Sequence, residues 1–247
     1  PSPWSVGFPG WHIECSAMSR KYLGDQFDIH GGGMDLAATH HTNEIAQSEA
    51  CNHTAPAKYW MHTNMLTVNG ARMSKSSGNG FLPGQLFTGN HPLLERGYSP
   101  MSVRFFMLQA HYRSTLDFSN EALDAADKGF SRLISAINLL DKLKPSKGKS
   151  SFNLAEIKTK CYAAMDDDFN SPILIAELFE VVRIINSIYD GKSSIDEQGL
   201  VDLKEFLQHF VFDILGLKDD QVSGNDNMDD IMNIVIKLRD GAKQNKD

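Results

Sequence analysis

The segment Phe27-Asp28-Ile29-His30-Gly31-Gly32-Gly33 constrains the fold of this chain more than any other. Phe27 to His30 reads as a short buried strand, and the glycine run reads as the turn that follows it. From about Ala37 to Cys51 the sequence then reads as a helix. Strand, glycine turn and helix in that order form the unit of a parallel α/β sheet. Trp11 to Leu23 reads as a helix stopped by Gly24. Tyr59 to Val68 reads as a strand that ends at the tight-turn signal Asn69-Gly70. Ser74 to Gly80 is expected as a polar loop, and residues 81–98 as irregular structure.

The pattern changes at Ser99-Pro100, an N-cap with proline at the first helical position. Val103, Phe106, Met107 and Ala110 then keep helical spacing, and an apolar stripe from Leu123 to Leu140 ends before Pro145. Further helices are expected over Leu154–Ala164, from Ser171-Pro172 to Ile188, and over Leu200–Leu215, the last stopped by Gly216. An acidic linker over Asp219–Asp230 and a final helix from Ile231 to Leu238 complete the expectation. The fold class is thus α/β followed by all-α, the second part a helical bundle.

Charge divides the chain at the same place. Residues 1–116 carry a net +1 and eight of the nine histidines, whereas residues 117–247 carry a net −8. The first part is therefore expected to hold the chemistry. The acidic second part, taken alone, is a poor partner for nucleic acid. Cys15, Cys51 and Cys161 cannot form a disulfide framework, so a reducing, cytoplasmic setting is expected. No apolar run approaches the ~18 residues that span a bilayer, so no membrane partner is expected. The chain opens Pro-Ser-Pro without a methionine or a signal-peptide pattern, as an excised fragment would.

Three constellations carry candidate chemistry. His40 and Glu44 stand one turn apart on one helix face, and Cys15 could add a thiolate from the preceding helix. Thiol, imidazole and carboxylate all suit zinc; a surface His–Glu pair beside an apolar cysteine is the alternative. Arg72-Met73-Ser74-Lys75-Ser76-Ser77-Gly78-Asn79 could close over a polyphosphate, with Lys75 as a compact charge, or could be a plain surface loop. His30 to Asp35 could bring backbone against a phosphate at Gly32 and hold ribose hydroxyls with Asp35, or could be a tight strand–helix connection.

Together these residues resemble a known family. The blocks Gly10–Met18, Phe27–Leu36 and His40–Ser48 are similar, in order and interval, to those of the cysteinyl-tRNA synthetases, members of class I. Residues 72–76 resemble the class signature Lys-Met-Ser-Lys-Ser, and Met165–Pro172 resembles a block of the family's helical, anticodon-side domain. The resemblance implies a Rossmann-like, nucleotide-binding parallel domain followed by an anticodon-binding-type bundle. Residues 1–88 would be the later part of the catalytic domain, 89–116 a connector, and 117–247 a truncated helical domain.

The implied activity joins L-cysteine to its tRNA through cysteinyl-adenylate, using ATP with Mg. One zinc per chain would bind the substrate thiolate through Cys15, His40 and Glu44, with a further cysteine ligand in an amino-terminal stretch absent here. Lys75 would meet the transferring phosphate as the catalytic residue, with Arg72, Ser74, Ser76, Gly32 and Asp35 also at the nucleotide and Trp11 as a wall of the cysteine pocket. Cys51 and Cys161 match no ligand position and are expected in the core, and His41 is unassigned. Arg72 stands where the signature has lysine; Ala38-Thr39 and Thr42 also depart from the family pattern. The class signature His-Ile-Gly-His is absent. The chain is therefore expected to be a monomeric fragment that neither activates cysteine nor charges tRNA alone. A cysteine:sugar ligase of mycothiol synthesis and a non-catalytic RNA-binding module are the rival expectations.

Overall fold

In the computed structural model, residues 3, 5–74, 76–146 and 148–219 are described. They form two compact units: Pro1–Gly80 with Ala110–Phe118, and Phe81–Gln109 with Ser119–Asp247.

The first unit begins with helix α1 (Trp11–Leu23), which Gly24 ends at φ 95° as expected. Strand β1 (Phe27–Gly33) is longer than expected, because its three glycines pair with strand β2 (Ala57–Thr63) instead of forming a turn. The two strands are parallel, with His30 opposite Trp60 and Gly32 opposite His62. Between them runs one helical stretch: α2 (Met34–Leu36), a π turn (Ala37–His41) and α3 (Thr42–Asn52). This is the anticipated strand–helix–strand unit.

The strand expected over Tyr59–Val68 is broken after Thr63. Asn64 interrupts it, its backbone N–H donating to Tyr112 and its side chain to Arg113 O at 2.9 Å. Strand β3 (Leu66–Val68) then starts a second sheet. Asn69 and Gly70, both at positive φ, turn it into β4 (Ala71–Arg72). Strand β5 (Leu116–Phe118), absent from the sequence expectation, pairs parallel to β3. Asp117 fixes the corner by accepting from Thr67 Oγ1 at 2.6 Å and Gly70 N at 2.8 Å.

The second unit is helical. Residues 81–98 are not wholly irregular: Pro83 starts helix α4 (Pro83–Thr88), and Gln85 Oε1 accepts from the Leu82 N–H. Ser99 caps α5 (Pro100–Leu108) through the Ser102 N–H, as its sequence implies. Helices α6 (Asn120–Leu139), α7 (Leu154–Asp166), α8 (Ser171–Tyr189) and α9 (Glu197–Leu207) follow. A π stretch, Gln208–Ile214, extends α9. Phe105, Leu123, Leu133, Leu174, Leu178, Ile185, Leu203 and Phe210 are fully buried and form the core. Cys161 lies within that core, whereas Cys51 is exposed, contrary to expectation, at the end of α3. The linker over 219–230 and the final helix lie almost wholly outside the described residues.

Candidate metal centre

The π turn sets the geometry of the site. A wider turn inserted into a helix shifts its phase, and here it buries two consecutive residues, His40 at 7% exposure and His41 at 3%. Glu44 and Ser48 follow His40 at intervals of four on one face, and Glu44 is only 2% exposed. Side chains in and just after the turn donate back along the helix: Thr39 Oγ1 to Asp35 O and, from α3, Asn43 Nδ2 to Thr39 O. Cys15 approaches from α1, which Ser16 Oγ ties to α3 by donating to Gln47 Oε1 at 2.7 Å. The surface-pair alternative for His40 and Glu44 is thereby removed, since both are buried.

Cys15, His40 and Glu44 each present one ligand atom, and these atoms all lie within 4.8 Å of one another. His40 Nε2 stands 2.8 Å from Glu44 Oε1. Oε1 is buried, and this imidazole nitrogen, which lies outside hydrogen-bond geometry, is its close polar neighbour among the described residues. A buried carboxylate oxygen without a well-formed hydrogen bond costs free energy unless something electropositive meets it. Thiol, imidazole and carboxylate this close together fit a zinc ion, whose four-coordinate shell three donors would leave incomplete. Burial, then Glu44 and Glu14, raise the Cys15 thiol above its ordinary range. Metal binding reverses that balance, because a coordinated thiol loses its proton.

Behind the cluster lies a second layer of rings. His30 Nε2, on β1, stands 3.1 Å from Glu44 Oε2. The His30 ring packs against Phe27, Trp60 and His41 at centroid distances of 5.5, 4.7 and 4.9 Å. His41 Nδ1 shares a hydrogen bond with His62 Nε2 at 2.8 Å. Burial first, then the neighbouring His30, His62 and His40, push the His41 imidazole down to about 4, so it is neutral near pH 7. A Cβ on Gly32 would meet His41 Cε1 at 2.8 Å and Nε2 at 3.0 Å. Glycine at this position therefore makes room for a histidine ring. A side chain at Gly33 would likewise meet the Asp35 carboxylate.

Trp11 lies beside the cluster, exposed, with its ring 4.5 Å from that of His40. Arg72, Ser74 and Ser76 are placed together in and after β4. Asn79 clips this loop: its Oδ1 accepts from Ser74 N at 2.9 Å and its Nδ2 donates to Arg72 O at 3.1 Å. Ser74 Oγ also meets the hydroxyls of Ser76 and Ser77. Lys75 lies outside the described residues. His62 and Trp60 were not among the expected site residues, and His30 and Asn79 stood only within the constellations His30–Asp35 and Arg72–Asn79, with no role of their own. The alternation of His30 with Gly32 and of Trp60 with His62 along paired strands is the signal that points to most of them.

Comparison with solved structures gives the class first. The LeuRS of Agrobacterium radiobacter, in its ternary complex with tRNA and LeuAMS, has a TM-score of 0.54 at 18% identity over 78% of this chain and 28% of that chain. A Campylobacter jejuni protein assigned as an arginyl t-RNA synthetase has a TM-score of 0.53 at 12% identity, over 86% of this chain and 52% of that one. The fold is that of class I synthetases, parallel α/β followed by helices. Residues 1–128 match the family described as tRNA synthetases class I (C) catalytic domain, and residues 160–218 match the DALR domain. The chain belongs to the class I (C) tRNA synthetase family. It is 53% identical to the cysteine–tRNA ligases of Parabacteroides distasonis and Bacteroides thetaiotaomicron, over 100% of its own length and 51% of theirs. It is 43% identical to that of Chlorobium chlorochromatii over 100% of its own length and 50% of the relative's. The chain thus spans about half the length of the curated relatives it matches.

Proposed function

We propose that this chain carries the cysteine-selecting and phosphate-binding parts of a cysteine–tRNA ligase, which joins L-cysteine to its tRNA through cysteinyl-adenylate. The observation that carries this reading is the convergence of Cys15, His40 and the buried Glu44 carboxylate. When bound, zinc would supply a soft Lewis acid that holds the substrate cysteine as its thiolate. A hydroxyl neither loses its proton nor binds zinc as readily, so serine is rejected by a missing bond. A pocket alone separates near-isosteres by only ~1–3 kcal/mol. Trp11 would wall the amino-acid pocket, from its place against His40.

Lys75, with Arg72, Ser74 and Ser76, would meet ATP and its Mg, offsetting charge at the transferring phosphate. Gly32 would bring backbone near the nucleotide, and Asp35 would accept from the ribose. Residues 1–88 would serve catalysis, 89–116 would connect, and 117–247 would face tRNA. The DALR match spans Met165–Pro172 and supports the tRNA ligase over the sugar ligase. A monomer in the cytoplasm is part of the same proposal; among the described residues, no helix is long and apolar enough to cross a membrane.

The test uses a chimera in which this chain replaces the matching half of the Parabacteroides distasonis ligase. Cysteine-specific tRNA charging, lost in Lys75→Ala, is expected. A soluble, folded chimera that binds tRNA yet charges it equally with Lys75 or Ala at that position would contradict the assignment.

A further inference from the structure

We infer that His30 is a positioning residue for Glu44, holding its Oε2 so that Oε1 alone faces the metal; this rests on the zinc reading above. The two oxygens of Glu44 have different neighbours. Oε1 has His40 Nε2 at 2.8 Å, outside hydrogen-bond geometry, whereas Oε2 has His30 Nε2 at 3.1 Å. A carboxylate with one oxygen engaged by an imidazole is fixed in rotation and offers the other as a monodentate ligand.

The His30 ring is itself held. It springs from a strand, not a loop, and Trp60 stands directly across the sheet from it. Phe27 and His41 close two more sides, and its side chain is only 18% exposed. His41 is in turn held by His62 and by the space that Gly32 leaves. The β1–β2 pair thus supports the ligands of the helical stretch from behind, as outer partners support metal ligands generally.

His30, His41 and Glu44 also present ligand atoms within 4.8 Å of one another, so a second metal ion is the competing assignment. Positioning is favoured because the second set lacks a thiolate, and aromatic rings crowd it.

The test is titration of the apo chain with Co²⁺ and with buffered Zn²⁺, following the thiolate charge-transfer and d–d absorption bands. The wild-type chain is expected to take one equivalent. His30→Ala is expected to lose about 10–100-fold in metal affinity and to shift the d–d bands. His30→Gln, which keeps a donor near the Nε2 position, is expected to recover most of both. Circular dichroism melts of the apo proteins identify any variant that has not folded, and the His30→Gln comparison then carries the test. Unchanged affinity and bands in folded His30→Ala would overturn the inference and leave the zinc reading standing. So would a second equivalent in the wild type that His30→Ala removes, since His30 would then be a ligand. A wild-type chain that binds no metal would overturn both.

Discussion

At the scale of single residues, the site is built by what each position leaves free. Gly32 is the clearest case. The added methyl of Gly32→Ala would press on a His41 ring that His62 and Trp60 keep from moving, and on Leu36 Cδ1 at 3.1 Å. Overpacking of this kind costs about 1–3 kcal/mol. A urea melt of Gly32→Ala should show that loss; a change within about 0.5 kcal/mol, the size of an ordinary surface substitution, would mean the ring can yield. The cysteines give a second prediction. Burial pushes the Cys161 thiol up to about 12, whereas Cys51 is exposed. Thiolate is the reactive form. In native protein, iodoacetamide should label Cys51 readily and Cys161 only after unfolding. Rapid native labelling of Cys161 at neutral pH would contradict the placement of α7 in the core.

At the scale of elements, the two units differ in how they are held. Helix α8 buries Leu174, Leu178, Val181, Val182 and Ile185 along one stripe. Leu178→Ala should cost about 2–5 kcal/mol by the rule for buried leucines, read as a shift in the denaturation midpoint. A loss below 1 kcal/mol would mean the stripe is not the centre of the bundle. Helices of this kind were legible because stripe and cap coincide, as Ser99 does with α5. The helical stretch of the first unit was legible as a helix but not in its phase. Nothing in Ala37-Ala38-Thr39-His40-His41 announces a π turn, because the turn exists to bury two adjacent histidines against another element. Strand β5 was missed for a similar reason. Three residues of alternating polarity have no local signal, and pairing with β3 alone makes them a strand. The glycines after His30 read as a turn because glycine is permissive. They extend the strand because rings from the helical stretch need the space above Gly32. The proposed metal donors Cys15, His40 and Glu44 were legible as residue types, His40 and Glu44 also by their spacing. Their supporting layer depends on strand register, which a single sequence leaves open.

At the scale of the molecule, one unit has a dense core and the other a thin one. Helix α1 buries none of its residues, and Phe8, Trp11, Tyr22, Leu23 and Tyr59 are exposed in the same unit. Calorimetry should therefore resolve two transitions, with chelation of zinc lowering only the first. A ligand stabilises the part that binds it. One transition that shifts as a whole on chelation would mean the units unfold together. The chain also matches relatives about twice its length, and the class signature His-Ile-Gly-His is absent from it. Cysteine-dependent ATP–pyrophosphate exchange is predicted to be undetectable with this chain alone. Its appearance would show that residues outside the class signature suffice for activation.

The central claim is that Cys15, His40 and Glu44 form a metal centre, and metal content tests it most directly. Zinc per chain would be measured by mass spectrometry in purified protein and in Cys15→Ala, with folding of both checked by circular dichroism. One zinc per chain in the first and none in the second is the predicted result. No zinc in the unaltered chain, or undiminished zinc in folded Cys15→Ala, would contradict it.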